Sequence, residues 1–62
     1  MTNEEIREDI LAYRGAPFLV GEYASYLEVT WDRMNRIIQR LVREGKLSAM
    51  TDGIWTFYEV TL

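Results

Sequence analysis

Asp52-Gly53 stands between two runs of strand-forming residues, KLSAMT and IWTFYEVT. A turn dipeptide flanked by β-branched and aromatic residues predicts a β-hairpin with Asp52-Gly53 as its two-residue loop. A lone hairpin is marginal in water, so one of its faces has to lie on something else that the chain supplies. Alternation puts Tyr58 and Val60 on one face and Trp55 and Phe57 on the other. Tyr58 is expected to close a core. Trp55 and Phe57, with Trp31, are expected to stay partly exposed, where large aromatic side chains suit a dimer or another protein partner.

Everything before the hairpin reads as helical. Thr2-Asn3-Glu4-Glu5 has the form of a capping box, with Thr2 as the cap and Glu5 three residues on. Ile6, Ile10, Leu11 and Tyr13 then recur at helical spacing, and Gly15 and Pro17 end the segment. Phe18-Leu19-Val20 is a short apolar run that suits a brief strand. A second, short helix follows from about Val20 to Leu27, with Tyr23, Ala24 and Leu27 on one side. Thr30 is the cap of a third helix, Asp32 complements its dipole, and Val29 and Met34 occupy hydrophobic-staple positions. This helix runs to about Glu44, and Gly45 supplies the residue that ends it. The order is helix, brief strand, helix, helix, hairpin: a single small α+β domain over residues 1–62.

The third helix separates apolar from basic residues. At ~100° per residue, Met34, Ile37, Ile38 and Leu41 fall within an arc of roughly 100°, a core stripe. Arg33, Arg36, Arg40 and Arg43 occupy roughly 80° of the other side, with Asn35 and Gln39 beside them. Net charge reinforces the division. Residues 1–29 carry two arginines against six acids, a balance of -4, and residues 47–62 carry only Asp52 and Glu59, a balance of -2. Residues 30–46 carry five basic groups against Asp32 and Glu44, a balance of +3 inside a chain whose net charge is -3. Arginine suits phosphates and guanine edges, and asparagine and glutamine suit adenine. Arginine and glutamine are also good helix formers on any solvated face.

The chain has neither cysteine nor histidine. Disulfides and thiolate metal sites are thereby excluded, and the commonest general base is missing. The acids cluster on the first helix, at Glu4, Glu5, Glu8 and Asp9, where solvation accounts for them. With so little room for a pocket, an enzyme is not expected, nor is a cofactor or metal. No apolar run reaches the ~20 residues of a membrane span, and the acidic N-terminus is unlike a signal peptide. No membrane partner is expected, and a cytoplasmic location is.

Tyr23, Ala24, Leu27, Val29, Met34 and Ile37 stand at the apolar offsets of a helix-turn-helix. RLVREGKL then resembles the passage from a recognition helix into a wing, and FYEVT resembles the strand that closes the wing in MarR-like and ArsR-like regulators. Nearly the whole chain resembles a minimal winged helix-turn-helix domain. The resemblance implies three helices, a C-terminal two-stranded wing, and a third helix in the DNA major groove. It implies that Arg33, Asn35 and Arg36 face bases, Gln39 bases or backbone, and Arg40, Arg43 and Lys46 phosphates. Glu28 takes the place where the motif usually has glycine, so either it adopts a positive φ or the turn differs. Leu19 takes the place of the usual Ser or Thr cap, and the wing tip has no basic residue.

The expected function is sequence-specific binding of double-stranded DNA by a small transcriptional regulator, as a homodimer because one short recognition helix binds weakly. The alternative is a winged-helix protein-interaction module, an adaptor or inhibitor of a nucleic-acid machine, using the same helix or the aromatic hairpin face.

Overall fold

The computed structural model describes residues 1–61. Three helices, α1 (Asn3–Ala12), α2 (Val20–Leu27) and α3 (Trp31–Arg43), precede an antiparallel hairpin of β1 (Leu47–Asp52) and β2 (Trp55–Val60). Phe18 adds one bridge to the far side of β2: its N–H donates to the Tyr58 carbonyl (2.9 Å) and its carbonyl accepts the Tyr58 N–H (2.8 Å). The brief strand expected at Phe18-Leu19-Val20 is thus this single bridge. The chain is a small α+β domain of three helices and a C-terminal two-stranded hairpin.

The helix ends follow local chemistry. Thr2 Oγ1 accepts the Glu5 N–H (3.1 Å) while Glu5 Oε1 accepts the Thr2 N–H (2.7 Å), a complete capping box. At the start of α3, Thr30 Oγ1 accepts the Arg33 N–H (3.3 Å). Leu19 has no side-chain acceptor, so α2 keeps only the reciprocal half of such a box: Glu22 Oε1 accepts the Leu19 N–H (2.9 Å).

α2 and α3 close alike. Lys46 N–H reaches the Leu41 carbonyl (2.9 Å) and Gly45 N–H that of Val42 (3.0 Å), a Schellman motif with Gly45 at φ 76°. Val29 N–H reaches Ala24 (3.0 Å) and Glu28 N–H reaches Ser25 (3.2 Å), the same motif with Glu28 at φ 56° and ψ 44°. The left-handed turn between α2 and α3 is thus made without glycine. Such a conformation costs an L-residue with a Cβ ~1–2 kcal/mol. Glycine removes that cost but loses more backbone entropy on folding. Glu28→Gly is therefore expected to stabilise the domain by up to ~1 kcal/mol in urea unfolding. A clear loss of stability would show that the Glu28 side chain contributes more than its backbone strain costs.

The hairpin loop differs by one residue from the sequence expectation. Asp52 pairs with Trp55, so Gly53-Ile54 form the loop rather than Asp52-Gly53. Gly53 has φ 63°, whereas Ile54 is not among the positive-φ residues. Glycine first and an ordinary residue second is the type II′ pattern, which needs no positive φ at its second position. The shift moves each cross-strand partner by two positions and leaves every side chain on its face. Tyr58 is accordingly buried and Val60 packs against the core, while Trp55 is 55% exposed and Phe57 half-buried.

Ile6 and Ile10 of α1, Met34, Ile38 and Leu41 of α3, and Leu47 and Tyr58 of the hairpin meet in one core with Phe18, Val20, Tyr23 and Ala24. Tyr13, Phe18 and Tyr23 stack at ring-centroid distances of 4.8–5.6 Å beside it. The Tyr23 hydroxyl donates to the Asp9 carboxylate, which ties α2 to α1. Burial, reinforced by that carboxylate, pushes the Tyr23 phenol well above its ordinary value, so it remains a donor.

Candidate nucleic-acid interface

α3 buries Met34, Ile38 and Leu41 completely, which fixes what its other sides present. Arg36, Arg40 and Arg43 are exposed and follow one another at four- and three-residue intervals. They form a row ~10 Å long on the open face of the helix. Asp32 is the acid beside the row's start.

The other residues expected at the site lie around this row rather than in it. Asn35 and Gln39 are half-buried on the flank toward β2. Gln39 Nε2 donates to Asn35 Oδ1 (3.2 Å) and to the Tyr58 hydroxyl (2.9 Å), so the wing strand fixes the amide. Arg33 faces α1 instead: Nε donates to Asn3 Oδ1 (2.8 Å) and Nη2 to the Met1 carbonyl (2.5 Å). In this conformation its Nε and Nη2 are engaged by the N-terminal end of the chain. The projection placed Arg33 among the arginines but could not show that the α1 N-terminus lies against that edge. Lys46 is exposed just beyond Gly45, at the base of β1.

Arg7 was not singled out in the sequence, and its spacing carries no signal. α1 brings its Nη2 to Glu44 Oε1 (2.5 Å), and Arg40 Nε approaches Glu44 Oε2 (3.5 Å). The two arginines thus share one carboxylate across the α1–α3 groove, and the Arg40 side chain remains 73% exposed. Such an exposed contact holds the arginine weakly and leaves it free to exchange Glu44 for another anion.

The hydrogen bond from Arg7 holds the Glu44 carboxyl below its ordinary value of 4.5, and the Thr2 backbone N–H does the same for Glu5. A lowered folded value means that the unfolded chain binds more protons. The stabilisation is therefore full above the ordinary value and is lost as pH falls through the lower, folded one. Urea midpoints are expected to fall as pH drops below ~4.5, less steeply for Glu44→Gln. Identical pH profiles for the two proteins would contradict the bridge.

Among the described residues no group of three or more His, Cys, Asp or Glu side chains is placed to hold a metal ion, and no helix is long and apolar enough to cross a membrane. What the surface offers is a row of guanidinium donors on a protruding helix, flanked by two amides. Such a row can engage a polyanion. No family model, curated protein or solved structure matches the chain, so the reading of this surface rests on its own geometry and charge.

Proposed function

We propose that the chain is a winged helix-turn-helix domain that binds double-stranded DNA sequence-specifically, acting as a small transcriptional regulator with α3 as its recognition helix. The observation that carries the reading is the exposed Arg36, Arg40 and Arg43 row on the helix that follows the left-handed Glu28 turn. In this reading Arg36 lies toward the N-terminal half of α3, which leads into the major groove, and meets base edges. Arg40, Arg43 and Lys46 meet phosphates, and Gln39 and Asn35 lie alongside. Arg33 joins them only if it leaves Asn3 and Met1. The acidic remainder of the molecule repels the DNA backbone elsewhere and limits nonspecific adhesion.

Each phosphate neutralised adds ~0.9 to the slope of log K against log salt. With three phosphates per protomer engaged, a slope of about -3 is expected, and Arg40→Ala reduces its magnitude by ~1 while weakening all sequences alike. Fluorescence anisotropy of a labelled duplex across a salt series measures both quantities. A flat salt dependence contradicts the reading.

A second reading is favoured by one feature: beyond Lys46 the hairpin carries Asp52 and Glu59 and no basic residue. A wing of that charge suits a protein surface better than a phosphate backbone. The arginine row would then meet an acidic partner protein.

A further inference from the structure

The strand that forms the open edge of the sheet is built to pair with itself. In the order Phe18, β2, β1, the first and second are joined, and among the described residues β1 has a neighbour on one side only. Both the N–H and the carbonyl of Tyr58 are bonded to Phe18, so they point away from Ala49, which stands opposite on β1. At the base of the hairpin, the Thr61 N–H donates to the Lys46 carbonyl (3.0 Å), so Lys46 points inward to the ladder. Antiparallel pairing alternates bonded and unbonded pairs. The backbone groups of Ser48, Met50 and Asp52 are therefore used within the hairpin, and those of Leu47, Ala49 and Thr51 lie on the other side, where Leu47 is buried and only Ala49 and Thr51 are open to solvent.

Exposed edges are normally blunted by proline, an inward charge, a bulge or a short strand. β1 has none of these: its register is continuous over Leu47–Asp52, and Ser48 to Thr51 carries neither charge nor proline. From Ser48 onward every β1 residue is exposed. The charges stand at the two ends, Lys46 at the base and Asp52 at the tip.

We propose that two copies of this chain associate by antiparallel pairing of β1 with β1 about a two-fold axis at Ala49, giving one four-stranded sheet. Ala49 then faces Ala49 of the second copy, and the two exchange both of their backbone hydrogen bonds. The same register sets Lys46 against Asp52 of the second copy at both ends. Moving the axis to Met50 sets Lys46 against Ile54 and runs the bonding row into the Gly53 turn, and moving it to Ser48 sets Lys46 against Met50. The Lys46–Asp52 charge pair thus selects the Ala49 register. The pairing does not depend on DNA binding. Where DNA is bound, it supplies the second α3, and it draws Lys46 from phosphate to Asp52, lowering the slope per protomer to about -2.

The test is residue-resolved amide exchange with sedimentation, on the protein alone, from micromolar to millimolar concentration. The amide of Ala49 is expected to gain protection as concentration rises, together with the shift from monomer to dimer. Ala49→Pro removes only an outward N–H, which an edge strand tolerates, and is expected to weaken the dimer about 100-fold. Asp52→Lys alone sets two lysines together and also weakens it, and Lys46→Asp with Asp52→Lys restores it. The charge pair decides the matter should Ala49→Pro fail to fold. A strict monomer at millimolar concentration overturns the proposal. So does a dimer in which the Ala49 amide stays unprotected, which would place the contact on the Trp55 face or on α1.

Discussion

Leu41→Ala is expected to remove a large share of the domain's stability and to lower its urea midpoint sharply. Leu41 is fully buried where α3 meets the rest of the core. Truncating such a leucine costs ~2–5 kcal/mol, combining lost transfer energy with the cavity left behind. A domain of 62 residues, at roughly 0.05–0.15 kcal/mol per residue, holds about 3–9 kcal/mol in total. There is no disulfide to hold the chain together once that margin is gone. Far-ultraviolet circular dichroism during urea unfolding reads the effect directly. A midpoint close to that of the parent would mean that the core around α3 is far more plastic than its complete burial indicates.

Arg36→Ala carries the second large effect, on recognition rather than folding. Arg36 is exposed and accepts no part in the ion pairs that involve Arg7, Arg40 and Glu44, so its removal leaves those contacts in place. If it reads a base edge, the substitution costs ~1–3 kcal/mol at one preferred site and relaxes specificity at that position. Affinity for unrelated duplexes should change far less. Competition between a selected site and its single-base variants distinguishes the two outcomes. Equal losses on every sequence would reassign Arg36 to a phosphate.

Much of this fold was legible because local chemistry and periodicity agree. Thr2, Thr30 and Gly45 mark helix boundaries that the structure repeats almost residue for residue. Strand alternation placed Tyr58 inside and Trp55 outside, and this survived the one-residue shift of the loop because the shift preserves faces. The shift itself was not legible. Asp-Gly favours a type I′ turn, but the strand pairing that the core requires puts Gly53 first instead. The sequence left Glu28 with two options, a positive φ or a different turn, and the structure takes the first.

The candidate surface was only half legible. Projection of α3 separated arginines from core, yet it treats the helix as isolated. It could not say that α1 would engage Arg33, that β2 would fix Gln39 through Tyr58, or that Arg7 would share Glu44 with Arg40. Each of these joins residues far apart in the chain, and no spacing within one segment encodes them.

The most direct measurement of whether α3 meets DNA is retention of duplexes from a random pool at low and at moderate salt. The expected result is broad retention at low salt and an enriched sequence at moderate salt, with the enrichment lost in Arg36→Ala. Retention of no duplex at low salt by the folded protein would contradict it. Should Arg36→Ala or Arg40→Ala then abolish capture of a protein partner, the arginine row would belong to a protein interface.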